Sequence, residues 1–299
     1  MRISADTSTL AKRFGNERAV HILADAGFPC IDITLDDLVD EASPWRKPDY
    51  SETALRLRNV AEQRNVVFNQ AHAPFMFDWT DFDSGWQDAV NLVIRSFEIA
   101  GILGVDTVIV HPIHHFVYAG NEDKLWEINM RYYTELLPYA EKFGVRMTLE
   151  NMFQFDSEGH PTEDTLSRAE KYVSAMDALQ NPCVAACVDV GHVAMLGRKP
   201  GDLIRSLGHD RVKALHIHDN DAVLDRHMLP YLGTIDWEDV CKALAEIDYD
   251  GVFTFETMMF LARFEDDFLP TAVKWLYDMG IYLTNKVEKY KAEGCTQIR

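Results

Sequence analysis

The sequence predicts an α/β fold, a single (β/α)8 barrel, from its length, its alternating pattern and its uniform composition. The chain has 299 residues, which is within the usual range for one eight-unit α/β barrel. Short apolar runs, many of them β-branched, alternate with longer amphipathic segments, and this alternation implies parallel pairing of the strands. No low-complexity tract or proline-rich linker divides the chain, so residues 1–299 are predicted to form one domain.

Eight apolar runs are the predicted strands, and helical patterns separate them. The strands are residues 3–5, 30–34, 66–72, 107–111, 146–150, 185–189, 212–218 and 252–256, with helices over segments such as 89–103, 125–143 and 237–247. Gly27, Gly104 and Gly144 each follow a helical pattern and precede an apolar run, as expected of a helix C-cap before a buried strand. Eight such units fit a closed barrel better than an open doubly wound sheet. No glycine-rich phosphate-binding motif follows the first strand, which disfavours a dinucleotide-binding fold.

Charge and composition exclude several classes of function. The chain carries 29 basic and 48 acidic side chains, a formal net charge of −19. Nucleic-acid binding depends on Lys and Arg, so this excess disfavours a nucleic-acid partner. The sequence contains no apolar run of eighteen residues, so no membrane span is predicted, and the first residues lack a signal-peptide pattern. Five cysteines without metal-ligand spacing are typical of a reduced protein, so we expect a cytoplasmic location.

Six of the predicted strands carry, at or near their C-terminal end, a residue that can bind a metal ion. These residues are His72, His111, Glu150, Asp189, His216 and Glu256. Barrel enzymes place their active sites at the C-terminal ends of the strands, so the six side chains should converge. One such residue alone would more often be a hydrogen-bonding or capping group. Several carboxylates at one mouth would repel each other, and a bound cation resolves that conflict.

The residues around these positions refine the prediction. Gly191 should allow a tight turn that brings His192 back over the site, three residues after Asp189. His216 and His218 should share one face of the seventh strand, because side chains alternate along a strand. Carboxylate and imidazole ligands without thiolate suit Mn²⁺, Mg²⁺, Co²⁺ or Zn²⁺.

The sequence resembles the xylose-isomerase-like TIM barrel superfamily, which includes sugar isomerases, sugar 3-epimerases and the endonuclease IV enzymes. The pattern of the epimerase branch is matched by Glu150, by Asp189 with His192, by His216 with Asp219, and by Glu256. Residues 227–237, HMLPYLGTIDW, are similar to a His-x-x-Pro-Gly-x-Gly-x-Ile-Asp-Trp segment of that branch, with Tyr231 where glycine is commoner. The resemblance implies a metal bound by Glu150, Asp189, His216 and Glu256, with His218 as the substitute for His216.

Endonuclease IV is the alternative within the superfamily, because its nine ligands around three zinc ions all have counterparts here. The counterparts are His72, His111, Glu150, Asp189, His192, His216, Asp225, His227 and Glu256. The loops favour the epimerases: residues 73–83 and 152–160 contain no Lys or Arg, whereas a DNA-cleaving enzyme contacts phosphates with cationic groups. Acidic and aromatic loops suit a small neutral polyol, and the shortage of basic groups disfavours a phosphorylated sugar.

The sequence therefore predicts a metal-dependent sugar, or sugar-derivative, isomerase or epimerase that transfers a proton through an enediolate. Mn²⁺ is the predicted cation, with Mg²⁺, Co²⁺ or Zn²⁺ as alternatives, and Glu150 and Glu256 are predicted to be both ligands and acid/base groups. The predicted substrate-binding residues are His72, His111, His192, His218, Asp225 and His227. The predicted partner is a small sugar or polyol, with a homo-oligomer possible. A third hypothesis is a non-catalytic barrel that binds only a metal or sugar, or one subunit of a two-protein enzyme.

Overall fold

A parallel sheet that closes on itself forms the centre of the molecule. The computed structural model describes residues 1–75, 77 and 82–297, with the backbone alone for residues 82–84 and 295–297. The strands are β1 (Arg2–Asp6), β2 (Cys30–Thr34), β3 (Val67–His72), β4 (Thr107–Val110), β5 (Arg146–Glu150), β6 (Phe153–Phe155), β7 (Pro161–Glu163), β8 (Val184–Asp189), β9 (Val212–His216) and β10 (Val252–Phe255). Eight of them are hydrogen-bonded in the order β10-β1-β2-β3-β4-β5-β8-β9. A parallel bridge between Ile217 and Phe255 joins the two ends of this sheet, which confirms the predicted (β/α)8 barrel.

Helices surround the sheet. They are α1 (Ser8–Phe14), α2 (Asn16–Ala26), α3 (Tyr50–Gln63), α4 (Phe82–Leu103), α5 (Glu122–Phe143), α6 (Ala169–Leu179), α7 (Val190–Met195), α8 (Pro200–Arg211), α9 (Trp237–Glu246), α10 (Met258–Leu261) and α11 (Leu269–Gln297). Gly27, Gly104 and Gly144 have φ angles of 109°, 80° and 67°. This left-handed backbone is easily adopted by glycine, and the predicted helix ends at these residues are confirmed. No helix in the described ranges is long and apolar enough to cross a membrane.

The barrel interior differs from the core between sheet and helices. A large apolar cluster fills the space outside the sheet, whereas a small separate cluster of Ile109, Cys187 and Ala214 lies inside the barrel. Buried polar side chains share this interior, namely Ser4, Asp32, Gln70, Thr148 and Thr254. Buried polar groups require partners, so the interior can support hydrogen-bonded side chains beneath a polar site.

Two local features differ from the sequence prediction. β9 ends at His216 and not at His218, because beyond Ile217 the chain turns into an antiparallel bridge between Asp219 and Met228. The antiparallel pair β6–β7, which follows β5, is absent from the prediction because each strand has only three residues. The extent of the domain, residues 1–299, stays a prediction.

Candidate metal centre at the barrel mouth

All six strand-end residues lie at the same end of the barrel. His72, Glu150, Asp189 and His216 are the last residues of β3, β5, β8 and β9, while His111 and Glu256 directly follow β4 and β10. Each is at most 6% exposed to solvent. The parallel sheet brings these side chains together, as predicted from their positions at the strand ends.

The central cluster consists of Glu150, Asp189, His216 and Glu256. One ligand atom from each residue lies within 4.8 Å of the others. The Nδ1 atom of His216 is 2.9 Å from Glu150 Oε1, 3.5 Å from Glu256 Oε2 and 3.9 Å from Asp189 Oδ2. Three carboxylates and one imidazole therefore converge on a small volume, in the combination predicted from the sequence.

A second cluster shares Glu150 with the first and consists of His72, His111 and Glu150. His111 Nε2 lies 3.0 Å from Glu150 Oε2, and the facing Nε2 atoms of His72 and His111 are 3.4 Å apart. The ring of His72 stacks between those of His111 and His216, with centroid distances of 4.9 and 4.6 Å. Burial is the largest cause that lowers the pKa of both His72 and His111, so both rings favour the neutral form that can bind a cation.

A third cluster combines His192 of α7 with three residues that follow β9, namely His218, Asp225 and His227. Asp225 Oδ2 is 2.7 Å from His227 Nε2 and 3.4 Å from His192 Nε2. The His218 ring stacks on that of His227 with a centroid distance of 4.0 Å. Asp225 raises the pKa of His227 against the opposing effect of burial. All six residues predicted to bind substrate thus lie in the second or third cluster.

Asp219 anchors the loop that carries Asp225 and His227. Its carboxylate accepts hydrogen bonds from the Tyr231 backbone N–H at 3.0 Å and from Trp237 Nε1 at 2.9 Å. Tyr231 has a φ of 71°, in the left-handed region that glycine adopts at lower cost. The loop therefore uses a backbone conformation suited to the glycine that is commoner at this position.

The N-terminus of α7 corrects the predicted role of Gly191. Asp189 caps this helix, because its Oδ1 accepts from the His192 backbone N–H at 2.7 Å, and Gly191 is an ordinary helical residue. The prediction of a tight turn at Gly191 was therefore wrong. Glycine is needed for space: a Cβ at Gly191 would lie 1.9 Å from Cε1 of His218.

The charges of the central cluster conflict without a cation. Burial, then the negative charges of Glu150 and Asp189, raise the pKa of Glu256 well above its ordinary value. Burial also acts to raise the pKa of Glu150, but His216 and His111 outweigh it and lower that pKa well below its usual range. Glu150 raises the pKa of His216 to about 9, against desolvation. Glu256 Oε2 in the central cluster and Asp225 Oδ1 in the third cluster described above are buried and have no hydrogen-bond partner among the described residues. The carboxylate and imidazole groups of the central cluster therefore fit a divalent cation.

One residue near the centre was missed by the sequence analysis. Asp32 is fully buried in β2, and ligand atoms of Asp32, His72 and His216 lie within 4.8 Å of one another. Burial is the largest cause that raises the pKa of Asp32, to about 7. The sequence does place this aspartate between Ile31 and Ile33 in an apolar strand, which is unusual for a charged residue. It was not selected because it lies in the middle of the strand and not at its C-terminal end.

Aromatic side chains border the centre. Phe75 stacks on His111 with a centroid distance of 4.1 Å, and Phe153 lies 5.3 Å from the His192 ring. Both belong to the segments predicted to contact substrate. In the segment after β3, residues 76 and 78–81 lie outside the described residues, so part of the predicted acidic and aromatic loop is undescribed.

Comparison with known proteins identifies the family. The family model described as "Xylose isomerase-like TIM barrel" matches residues 20–279. The uncharacterized protein y4fM of Sinorhizobium fredii is 26% identical over 264 residues, which cover 82% of each chain. Fructoselysine 3-epimerase of Escherichia coli O157:H7 is 23% identical over 142 residues, 48% of this chain and 49% of that protein. The crystal structure of a D-tagatose 3-epimerase-like protein superposes with a TM-score of 0.74 at 20% identity, covering 96% of this chain and 100% of the other. The chain belongs to the xylose isomerase-like TIM barrel family.

Proposed function

We propose that this protein is a divalent-metal-dependent sugar, or sugar-derivative, epimerase or isomerase. The observation that carries the proposal is the central cluster, in which ligand atoms of Glu150, Asp189, His216 and Glu256 lie within 4.8 Å of one another. Metal-binding sites commonly combine such carboxylate and imidazole ligands. A bound cation would polarise the sugar carbonyl and neutralise charge on its oxygens when the neighbouring carbon loses a proton.

Glu150 and Glu256 are the proposed proton-transfer groups. Glu150 ends β5 and Glu256 directly follows β10, and their pKa values are shifted in opposite directions. Two carboxylates with different proton affinities can divide the roles of base and acid. One would remove the proton from the substrate carbon, and the other would return a proton to the opposite face for epimerisation. Return to the adjacent carbon would give isomerisation.

The surrounding residues would bind and orient the sugar. His192 is fixed by its Nδ1 contact with the Asn151 carbonyl oxygen at 2.9 Å, so its Nε2 faces Asp225. His72 and His111 form one wall, and Phe75 adds an apolar surface beside His111. Rings beside polar groups suit a polyol, because C–H faces pack on the rings while hydroxyls bond to the polar atoms. The names of two relatives, a fructoselysine 3-epimerase and a D-tagatose 3-epimerase-like protein, support a ketose-like substrate and the 3-epimerase reaction.

The test is hydrogen exchange between solvent and sugar. Metal-free protein is prepared by exhaustive chelation and incubated in D₂O with D-tagatose, D-fructose or fructoselysine, before and after addition of Mn²⁺, Co²⁺, Mg²⁺ or Zn²⁺. We expect deuterium at a carbon next to the carbonyl, detected by NMR, only when a cation has been added. Unchanged exchange in verified metal-free protein, or no exchange of any sugar by metal-loaded protein, would contradict the proposal.

The second candidate is a multi-metal phosphodiesterase of the endonuclease IV type. It is favoured by the second and third clusters, which offer ligand sets beside the central one. It is disfavoured by the formal charge of −19, because phosphate contacts depend on cationic side chains. The number of metal ions bound per chain separates the two candidates.

A further inference from the structure

The two ring nitrogens of His216 face different groups. Nδ1 faces the three carboxylates of the central cluster, at 2.9, 3.5 and 3.9 Å. Nε2 is 3.9 Å from Asp32 Oδ2. Nε2 is also buried and has no hydrogen-bond partner in the described part of the chain. His216 therefore has one side directed to the candidate metal position and the other to a buried carboxylate.

Asp32 is held by a chain of hydrogen bonds inside the barrel. Gln70 Nε2 donates to Asp32 Oδ2 at 2.9 Å, and Thr254 Oγ1 donates to Gln70 Oε1 at 3.1 Å. All three side chains are at most 2% exposed. Because the Thr254 hydroxyl occupies the amide oxygen of Gln70, the amide N–H group must face Asp32. The carboxylate is thus fixed as an acceptor beside His216.

The ring of His216 is restrained on one face as well as at its edges. His72 stacks on it with a centroid distance of 4.6 Å and an interplanar angle of 18°. With the ring so restricted, the remaining variable is which nitrogen carries the proton. A histidine that binds a metal usually donates its other ring N–H to a carboxylate or carbonyl, which fixes the tautomer.

We propose that Asp32 is a positioning residue that accepts the Nε2 proton of His216 and so presents the Nδ1 lone pair to the central cluster. This inference rests on the proposed function, because it gives Asp32 its role in holding the metal ligand His216. The separation of 3.9 Å exceeds a normal hydrogen bond by about 1 Å, and a small shift of the ring toward Asp32 would close it.

A direct metal ligand role for Asp32 is the competing explanation, since its ligand atom lies near those of His72 and His216. One observation disfavours it. Nε2 of His216 faces this one carboxylate, whereas Nδ1 faces three. The nitrogen that faces more negative charge is the better site for a cation.

The test compares metal affinity in matched variants. Asp32→Ala removes the oxygen that Gln70 Nε2 and His216 Nε2 both face, so Nε2 of His216 loses the group that fixes its proton. We expect its affinity for Mn²⁺, measured by calorimetry on metal-free protein, to fall by about 10- to 100-fold. Asp36→Ala is the control, because Asp36 is a nearby half-buried aspartate and has no hydrogen bond or ion pair with His216 among the described residues; its Mn²⁺ affinity should stay close to wild type.

A second measurement does not depend on the folding of a variant. In ¹⁵N-labelled wild-type protein loaded with Zn²⁺, the NMR signals of His216, assigned with His216→Gln, should show a protonated Nε2 and a metal-bound Nδ1. Metal bound through Nε2, or equal losses of affinity in the Asp32 and Asp36 variants, would overturn the inference and leave the proposed function intact. If wild-type protein binds no divalent cation, both fail.

Discussion

The contact between Gly191 and His218 gives a stability prediction that can be worked from the structure. In Gly191→Ala the new Cβ would lie 1.9 Å from Cε1 of His218, whereas carbon atoms normally approach to about 3.5 Å. The ring must therefore retreat by about 1.6 Å. His218 is fully buried, and its Nε2 lies 3.0 Å from Asp189 Oδ2, so the retreat breaks a hydrogen bond within the core.

Overpacking of a buried site costs about 1–3 kcal/mol, and the lost hydrogen bond adds about 0.5–1.5 kcal/mol. We therefore expect Gly191→Ala to lower the free energy of unfolding by about 1.5–4.5 kcal/mol. The assay is denaturant unfolding of metal-free protein, followed by circular dichroism. Gly294→Ala is the control, because Gly294 lies in α11 with nothing within 4 Å of its added Cβ, and alanine there should be neutral or stabilising. A free energy of unfolding for Gly191→Ala equal to that of the control would refute the argument.

Three further predictions concern the chemistry of the centre. Glu256→Gln keeps an oxygen for the cation but removes the basic carboxylate, so deuterium exchange into the sugar should fall by about two to four orders of magnitude while Mn²⁺ still binds; near-normal exchange would identify another base. The pKa of His216 is raised to about 9 and that of Glu256 is also raised, so their protons compete with the cation and metal affinity should increase as the pH rises toward 9. Calorimetry in two buffers of different ionisation enthalpy should then show proton release at neutral pH, and identical heats would count against it. Abasic-site duplex DNA should not be cut at a useful rate with added Zn²⁺ at low salt, because of the net charge of −19, and efficient multiple-turnover incision in a gel assay would favour the second candidate.

The fold and the strand-end residues could be predicted because they depend on local patterns and on one general property of parallel barrels. Apolar runs gave the barrel strands, and the C-terminal ends of parallel strands meet at one mouth. Residues such as Glu150 and Asp189, which end β5 and β8, are therefore brought together by topology alone. The order of the strands along the chain is enough to predict this convergence.

The features that were missed depend on contacts between distant parts of the chain. Asp32 lies in the middle of β2, and its relation to His216 follows from the register across several strands. Gly191 is required by the ring of His218, which belongs to another strand end, so its local sequence gave a misleading turn prediction. Asp225 was predicted as a substrate-binding residue, but its position depends on the loop anchored by Asp219, whose partners lie 12 to 18 residues further along the chain.

The number of metal ions per chain tests the central claim most directly. Purified protein is equilibrated with Mn²⁺ or with Zn²⁺, freed of unbound ions, and analysed for metal and protein content. The proposed centre of Glu150, Asp189, His216 and Glu256 predicts one tightly bound ion per chain, and the same single ion in His227→Gln, which changes only the third cluster. Three ions in the wild type, with one lost in His227→Gln, would favour the phosphodiesterase, and no bound ion would contradict the metal centre itself.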